Sequence, residues 1–355
     1  MKILIPVLGF GKQGGYRVLS KLADAWADAG HIVDFLAPAT STAPYFPTRA
    51  KVITTTRNGL PTPNQSAGAP RRQTGFDNIL SLYAGLKEIG ARYDVVLANH
   101  SLTAWPVRLA NCGNAKKVYY IQAYEHQYYP VTTSPIKHLL AKASYHLGLV
   151  HISNSRTYPT GRAGRQTGFV PPGIDYTTFF PRIDRPCLTD QPTITLGTIG
   201  RTEASKGTPI VLAAFEALHR ADPRFRLKVA FGNLPSGWSH PAAEVTDIHG
   251  DAKLAEFYRS IDILMVGCIG QIGAPHYPVI EALACGTPVV HTGYFPGDNQ
   301  NSWPVAQEDS DALSAGVQAV TNCSFVTTKT DKGIDFVRKN LGWPAVAATM
   351  LKYFD

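Results

Sequence analysis

The feature that most constrains this chain is an alternation of short apolar runs with longer amphipathic segments, present in both halves. Near the start, the runs KILIPVL and IVDFLAP flank GYRVLSKLADAWADAGH, a segment with helical spacing that a glycine at position 30 ends. The same order returns from TITLGTIGR onward. Alternating strands and helices predict parallel sheets whose ligands bind beyond the carboxyl ends of the strands. We therefore expect an α/β protein with two doubly wound, Rossmann-like domains that face each other across a cleft.

Further elements follow from the same patterns. Strands are predicted at YDVVLAN, KKVYYIQ, LVHISNS, RLKVAFG and DILMVG, and helices at 136–147, 207–220 and 252–260, with a last helix beginning near Asp309. Residues 39–75 are rich in Pro, Thr, Asn and Gly, which predicts a long loop region. Residues 169–182 are predicted to be a linker between the two halves.

Length and composition narrow the class of protein. A chain of 355 residues fits two domains of ordinary size, and 44% hydrophobic with 17% charged residues describes an ordered globular protein. No apolar stretch approaches the roughly 20 residues that span a bilayer, and the glycine-rich start is expected to be a strand rather than a signal peptide. Five scattered cysteines without a CxxC pair argue against a disulfide framework or a zinc site. We expect a reducing, cytoplasmic setting.

The charge is unevenly distributed along the chain. Residues 1–175 carry 19 Lys and Arg against 8 Asp and Glu, a net charge of +11, whereas residues 176–355 carry 15 against 18, a net charge of −3. A basic half suggests an anionic partner, such as a membrane surface, a phosphorylated substrate or nucleic acid. The alternative is that the basic residues only keep the protein soluble.

The glycine-rich stretch GFGKQGG separates the first predicted strand from the first helix. Gly9, Gly11 and Gly14 satisfy GxGxxG, so an NAD-dependent oxidoreductase is one alternative. That fingerprint also requires an acidic residue at the end of the second strand, but Asp34 lies in mid-strand. Gly14 and Gly15 still permit close approach of a phosphate to the following helix N-terminus, or serve only a tight turn.

Two stretches in the second half carry charge at predicted strand ends. GRTEASKG places Arg201 and Lys206 on a loop before a helix, where a guanidinium and an ammonium suit a diphosphate; a solvated basic loop is the alternative. HYPVIEALACGTPVV places Glu281 inside an apolar run. That carboxylate is either a partly exposed helix residue or faces a ligand at the sheet edge.

Taken together, these stretches resemble the retaining glycosyltransferases of family 4, which have the GT-B fold. Gly14-Gly15, PPGIDYTTFFP, GRTEASKG and PVIEALACGTPVV occur in the order and spacing of that family, over essentially the whole chain. The resemblance implies an acceptor-binding domain at 1–171 and a nucleotide-sugar-binding domain at 172–343. It also implies that residues 344–355, within GWPAVAATMLKYF, form a helix that crosses back to the first domain.

The resemblance assigns roles to individual residues. Glu281 matches the second glutamate of the family's E-x7-E motif, which holds the ribose hydroxyls of the nucleotide. Arg201 and Lys206 match the pair that binds the donor diphosphate and are expected to carry catalysis by stabilising it as it leaves. Gly14 and Gly15 match the glycine loop that approaches the phosphate and the acceptor.

Two positions depart from the family pattern. Where the family has its first glutamate, which contacts the sugar, this chain has Gly273, and where the family has an active-site histidine it has Gln122. Gln-x-Tyr-Glu, at 122–125, and Pro-His-x-Pro, at 275–278, are similar to a bacterial branch that includes polysaccharide rhamnosyltransferases. A 6-deoxy sugar needs fewer polar partners than glucose or mannose, which fits Gly273. Gln122 is expected to act at the transferred sugar.

Further candidate contacts lie nearby in sequence. His276 and Tyr277 are expected to bind the donor, and Glu125, His100 and Tyr124 the acceptor. For His276, Glu125 and His100 the alternatives are a loop histidine, an exposed carboxylate and a satisfied buried histidine. Asp309-Ser310-Asp311 resembles a DxD metal motif, but N-capping of the next helix explains it better, and no metal is expected. The helix at 136–147 is expected to pack its apolar face on the core or to face a membrane.

We therefore expect a cytoplasmic enzyme that transfers a sugar from a UDP-, GDP- or TDP-linked donor to a glycan or lipid-linked acceptor in surface polysaccharide or glycoconjugate synthesis. Retention of configuration, no cofactor and no nucleic-acid partner are expected. The basic first half is expected to contact the inner face of the membrane. A GT-B module that binds nucleotide or glycan without catalysis is the other alternative.

Overall fold

The computed structural model describes residues 1–61, 75–158, 168–183, 188–189, 191–267, 269–270, 273–322 and 324–355. Within these residues the strands are β1 (Lys2–Pro6), β2 (Ile32–Pro38), β3 (Lys51–Thr55), β4 (Val95–Ala98), β5 (Lys116–Ile121), β6 (Val150–Ser153), β7 (Gly168–Phe169), β8 (Ile194–Ile199), β9 (Phe225–Ala230), β10 (Ala243–Thr246), β11 (Ile263–Val266), β12 (Val289–His291) and β13 (Trp303–Pro304). The α-helices are α1 (Gly14–Asp28), α2 (Gly75–Ile89), α3 (Ser101–Leu109), α4 (Pro135–Ser144), α5 (Thr208–Ala221), α6 (Gly250–Ser260), α7 (Tyr277–Ala284), α8 (Ser310–Thr321), α9 (Val326–Asn340) and α10 (Trp343–Leu351). None of these helices combines the length and apolar composition that a membrane-spanning helix requires.

The first compact unit comprises Met1–Gly173 and Trp343–Asp355. Its sheet has the order β3-β2-β1-β4-β5-β6-β7, with every pair parallel. Apolar side chains of β1 and β4 are buried, as expected for central strands covered on both faces. The chain end belongs to this unit because α10 packs on α1, where the Trp26 indole N–H donates to the Ala347 carbonyl at 3.1 Å.

The second unit, Ile174–Gly342, repeats the plan with a sheet of order β10-β9-β8-β11-β12-β13 and all pairs parallel. One apolar core lies under α5 and α8, and another under α6, α7 and α9. Both units are therefore doubly wound. In each, the strand order reverses beside the first strand of the unit, between β1 and β4 and between β8 and β11, which is where such sheets bind ligands.

The structure corrects several element predictions. Residues 51–55 were assigned to a loop but form β3, parallel to β2, while residues 62–74 of that loop lie outside the described residues. Gly168–Phe169, at the predicted linker, pairs with β6. β10 and α9 were not predicted, and α8 is not the last helix of the second half. α4 ends at Ser144 rather than at position 147.

Candidate functional site

Glu281 lies in the second half of α7 and is buried, with 2% of its surface exposed. The Tyr258 hydroxyl of α6 donates to its Oε2 at 2.9 Å. Burial, and then the Glu281 carboxylate itself, raise the pKa of Tyr258 well above its usual value of 10, so the hydroxyl keeps its proton. A buried carboxylate is costly unless it is hydrogen-bonded, and Tyr258 supplies that bond. The first alternative for Glu281, a partly exposed helix residue, is therefore wrong.

Arg201 follows β8 at the point where the strand order reverses. The Thr208 hydroxyl, at the start of α5, donates to the Arg201 carbonyl at 2.9 Å and accepts its backbone N–H at 3.1 Å. The preceding Gly200 has no space for a side chain, because a Cβ there would collide with the Gly232 carbonyl. The Arg201 side chain is solvent-exposed and forms no ion pair with any described residue. Its backbone is thus fixed while its guanidinium stays available to a ligand.

Lys206 ends a short 3₁₀ turn, Ala204–Lys206, on the same loop. The turn is tied to the segment after β11, since the Ile269 N–H donates to the Ser205 carbonyl at 2.9 Å. The Lys206 Nζ lies 5.3 Å from the centre of the Tyr294 ring, within the range of a cation–π contact. The loops after β8 and β12 therefore place a cation beside an aromatic face.

His276 precedes α7 as its N-cap residue and is buried, with 7% of its surface exposed. Its ring stacks on Tyr294 with centroids 4.1 Å apart and planes 12° apart. Burial lowers the pKa of His276 well below its usual value of 6.5, and Lys206 and Arg201 lower it further. Because both cations affect the same imidazole electrostatically, Arg201, Lys206 and His276 belong to one cluster. His276 is thus a buried histidine at the end of the loop before α7, and its role toward a donor stays a prediction.

Tyr294 is held in place by the buried His291 at the end of β12. The Nδ1 atom of His291 accepts the backbone N–H groups of Gly293 and Tyr294 at 3.1 and 3.0 Å. Its Nε2 therefore carries the proton and donates to the Ser302 hydroxyl at 3.0 Å. Burial lowers the pKa of His291 to about 4, so this arrangement stays neutral at physiological pH.

The other two residues predicted to bind the donor flank His276. Gly273 adopts a left-handed backbone with φ of 72°, and its N–H donates to the Gly293 carbonyl at 2.6 Å. Tyr277 is the first residue of α7. The structure thus places Gly273 against the loop that carries Tyr294, and their roles toward a donor stay predictions.

The first unit contains a cavity of about 480 Å³ where its own strand order reverses. The cavity is lined by Gln13, Gly14, Gly15, Tyr16, Leu19, Asn99, His100, Gln122, Ala123, Glu125 and Tyr128. These residues come from the loops after β1, β4 and β5, which meet because the strands are parallel neighbours. Among them are Gly14, Gly15, Gln122, Glu125 and His100, all predicted from the sequence. Tyr124 does not line this cavity; its ring stacks on Tyr145 and Tyr158.

Glu125, which is buried, pairs in this cavity with His100, whose side chain is 29% exposed. The Glu125 Oε2 accepts the Ser101 N–H at the start of α3, at 2.6 Å, and lies 3.3 Å from His100 Nε2. Since His100 Nδ1 accepts the Leu102 N–H at 3.1 Å, its proton sits on Nε2 and is donated to Glu125. Burial raises the pKa of Glu125 to about 7 and lowers that of His100 to about 4. The exposed-carboxylate alternative for Glu125 is therefore wrong.

Gln122 lies beside the glycine turn at the start of α1. A Cβ atom at Gly15 would stand 3.4 Å from both amide atoms of the Gln122 side chain. The Gln122 carbonyl accepts from the Asn154 side chain at 2.8 Å, which fixes the backbone after β5. Such a Cβ would only reach ordinary contact distance, so the described structure gives no steric reason for glycine at position 15.

Two alternative motifs have structural explanations. Asp34, in the middle of β2, accepts from the Tyr93 hydroxyl at 2.6 Å. The Asp309 carboxylate accepts the N–H groups of Asp311 and Ala312, both at 2.9 Å, and so caps α8. Within the described residues, no group of three or more His, Cys, Asp or Glu side chains could hold a metal ion.

Sequence reasoning did not identify Tyr258, Thr208, Tyr294 or His291. The signal for Thr208 is a hydroxyl residue at the first position of the helix that follows the Arg–Lys loop. The other three lie outside the motifs, and only the packing of α6, α7 and the segment after β12 brings them to the site.

The region that contains Arg201, Lys206 and Glu281 also has a recognisable sequence. Residues 193–322, which run from β8 through α8, match the family model described as glycosyl transferases group 1. This region is similar to the glycosyl transferases of group 1. The matched region, called the group 1 domain below, covers all the donor-site candidates of the second unit. The comparison with curated proteins gave no match.

Solved structures match along nearly the whole chain at low identity. The sucrose-phosphate synthase from Thermosynechococcus elongatus is 17% identical, with 100% of this chain and 98% of that chain covered and a TM-score of 0.69. Anabaena HepE, solved in complex with UDP and glucose, is 15% identical, with 99% and 98% covered and a TM-score of 0.68. A variant of S. aureus TarM, solved with Fondaparinux, alpha-GlcNAc-glycerol and UDP, is 11% identical, with 100% and 99% covered and a TM-score of 0.71. The predicted fold class, two parallel-sheet Rossmann-like domains of the GT-B type, is confirmed.

Proposed function

We propose that this protein is a glycosyltransferase that takes a sugar from a nucleoside diphosphate donor. The observation that carries the proposal is the side-chain set in the group 1 domain. Two cations, Arg201 and Lys206, act on one buried imidazole, and the buried Glu281 accepts from Tyr258, on which Arg201 also acts. Cations suit the two phosphates, and a carboxylate suits the two hydroxyls of a ribose. A nucleoside diphosphate presents both groups.

The chemistry follows from what these residues can hold. In the proposed reaction, the bond between the sugar and the diphosphate breaks, and its electron pair leaves with the diphosphate. Arg201 and Lys206 stabilise the negative charge that develops there, and loss of one such group typically costs about 100-fold or more in rate. UDP is present in the HepE and TarM structures, so UDP-linked sugars are the first donors to test.

Retention and metal independence extend this proposal. In a retaining reaction of the kind that family 4 performs, an oxygen of the leaving phosphate takes the proton of the acceptor hydroxyl. No protein base is then obligatory, and Gln122 in place of a histidine is compatible with turnover. The two cations supply the charge that a metal ion would otherwise provide.

The identity of the sugar is proposed from Gly273. Glycine at this position offers no side-chain partner to a sugar hydroxyl, which favours a 6-deoxyhexose such as rhamnose over glucose or mannose. His276 and Tyr277 complete the proposed donor site from the start of α7.

The acceptor is proposed to bind the cavity of the first unit. No Lys or Arg is among the described lining residues, whereas Glu125, Asn99 and Gln122 offer hydrogen-bond partners and Tyr16 and Tyr128 offer aromatic surface. Such a lining favours the uncharged hydroxyls of a glycan over a phosphate group. The glycan is proposed to belong to surface polysaccharide or glycoconjugate synthesis, either free or linked to a lipid.

Contact with a membrane is proposed for α4 and the segment before it. The expectation that its apolar face packs on the core holds for Ala141, which is buried, but Ile136 and Leu139 are 73% and 66% exposed. Val131 and Tyr128 are exposed as well, and Lys137 and Lys142 lie on the same helix. Exposed apolar residues among lysines suit an anionic bilayer surface at the inner face of the membrane.

The proposal is tested by donor turnover. The purified protein is incubated with UDP-, GDP- and TDP-linked hexoses and deoxyhexoses, with a panel of neutral glycans as acceptors, and release of the nucleoside diphosphate is followed with and without a chelator. We expect consumption of one donor class that is insensitive to the chelator. Arg201→Ala and Lys206→Ala should each lower the rate by about 100-fold or more while the protein stays folded.

Two results would contradict the proposal. Near-normal rates in both variants would refute the cationic clamp. Failure of the wild-type protein to consume any donor while it still binds a nucleoside diphosphate would favour the module without catalysis. Proton NMR of the product reports whether the configuration is retained.

A further inference from the structure

The His276 side chain is buried without hydrogen bonds. Among the described residues, neither Nδ1 nor Nε2 finds a hydrogen-bond partner, although 93% of the residue surface is covered. Its backbone N–H donates to the Phe295 carbonyl, so only the imidazole nitrogens are left over. Burying polar atoms without replacing their water contacts costs free energy, and native structures rarely tolerate it at two atoms of one ring. A missing partner is therefore indicated at this position.

The surroundings of the ring indicate what that partner is. Stacking on Tyr294 at 4.1 Å fixes the plane of the imidazole, and Tyr294 is itself fixed by His291. Lys206 and Arg201 both act electrostatically on the ring. A group that meets His276 there also meets two positive charges, so an anion is favoured over a sugar hydroxyl or a base.

We propose that the His276 imidazole donates a hydrogen bond to a phosphate oxygen of the bound diphosphate, beside Arg201 and Lys206. This role rests on the proposed function of the group 1 domain and adds a neutral donor to its two cations. A neutral imidazole has one N–H group, and stacking on Tyr294 fixes the direction in which that group points. Its hydrogen bond is therefore directional, whereas the two cations attract the phosphate over a longer range. The free protein bears the cost of the unpaired ring, and the diphosphate removes it.

The proposal predicts opposite effects on stability and on binding. His276→Phe keeps an aromatic ring against Tyr294 but removes both nitrogens. The free variant should therefore melt a few degrees higher than the wild type. Its affinity for inorganic pyrophosphate, measured by calorimetry, should fall by about 10-fold or more, as expected for one lost hydrogen bond to a charged group.

Two further variants test whether His276 acts through its hydrogen bond or through the shape of its ring. His276→Gln keeps an N–H donor of similar reach and should bind pyrophosphate within about 3-fold of the wild type, since the donor is preserved. His151 is a matched control, because it is a buried histidine in the first unit whose Nε2 also has no partner in the described part of the chain. His151→Phe should leave pyrophosphate binding unchanged.

Three results would overturn the proposal. Equal pyrophosphate affinity in His276→Phe and the wild type would show that the ring does not contact the diphosphate. An equal loss in His276→Gln and His276→Phe would assign the effect to the shape of the ring. If the wild type binds neither pyrophosphate nor any of UDP, GDP, TDP and ADP, the proposed function falls together with this inference. The first two results would overturn only the role of His276.

Discussion

At the scale of single residues, two buried carboxylates have contrasting surroundings. Glu281 accepts from the neutral hydroxyl of Tyr258, and Arg201 acts on that hydroxyl as well. Glu125 accepts from the neutral His100 and from one backbone N–H, and burial raises its pKa to about 7. Glu281 is therefore suited to hold hydroxyls in a cationic region, and Glu125 to exchange a proton near neutral pH.

The raised pKa of Glu125 leads to a prediction about the pH dependence of protein stability. The unfolded carboxyl ionises near 4.5 and the folded one near 7, so ionisation penalises the folded state between these values and fully above pH 7. Glu125→Gln removes that penalty and keeps the acceptor oxygen. The variant should be more stable than the wild type above pH 7, by on the order of 3 kcal/mol, with the gap shrinking toward pH 5.

Urea unfolding of both proteins at pH 5 and pH 8 measures this gap. The pKa of His100, lowered to about 4 by burial, affects both proteins in the same way at these pH values and cancels in the comparison. A gap that is the same at pH 5 and pH 8 would show that Glu125 titrates as an ordinary carboxyl.

The sequence predicted site residues that belong to a recognisable motif, but it did not predict which of the side chains outside the apolar runs are buried. Arg201 and Lys206 were singled out as charges at a predicted strand end and Glu281 as a charge inside an apolar run, and the family resemblance gave their expected roles. The apolar neighbours of Glu281 in sequence agree with its buried position. The burial of His276 depends on Tyr294, and that of Glu125 on α3 and Tyr145, which lie far along the chain. Contacts between residues that lie far apart along the chain produce no periodic pattern in the local sequence.

At the scale of elements, the start of α5 positions the cationic loop. The Thr208 hydroxyl makes both backbone hydrogen bonds of Arg201 and is 3% exposed. Because the hydroxyl both donates and accepts, valine at this position preserves the shape but breaks both bonds.

Thr208→Val is predicted to cost about 1 kcal/mol in stability and to weaken pyrophosphate binding several-fold, since Arg201 loses its fixed backbone. Thr208→Ser keeps the hydroxyl and serves as the control, with binding close to the wild type. Chemical unfolding and calorimetry measure the two effects. Equal affinities in the valine and serine variants would show that Arg201 is positioned by other contacts.

Three of the elements that were not predicted, β3, β10 and α9, lack a strong sequence pattern. β3 and β10 are edge strands whose residues are mostly half-buried or exposed, so they lack the apolar alternation that identifies inner strands. α9 is polar, with only Thr330, Gly333 and Val337 buried, and it contains glycine in mid-helix. Central strands were predictable because burial on both faces makes them continuously apolar, and helices such as α5 because one buried face gives them helical apolar spacing.

At the scale of the molecule, the same topological rule accounts for both candidate sites. In each unit, polar residues follow the two strands that flank the reversal of strand order, β1 and β4 in one and β8 and β11 in the other, and further residues follow the next strand, β5 or β12. The sequence predicted this arrangement because a repeated alternation of strands and helices has few foldable topologies. The net charge of +11 in residues 1–175 was predictable too, whereas the absence of Lys and Arg from the described lining of the cavity was not.

The central claim is that the second unit binds a nucleoside diphosphate through Arg201, Lys206 and Glu281. Calorimetry of the wild type, Arg201→Ala and Glu281→Gln with UDP, GDP, TDP, ADP and pyrophosphate tests it most directly. The account predicts that at least one nucleotide binds the wild type and that both variants weaken it by about 10-fold or more. Pyrophosphate, which has no ribose, should lose affinity only in Arg201→Ala. Equal loss of nucleotide and pyrophosphate affinity in Glu281→Gln, or no nucleotide binding by the wild type, would contradict the account.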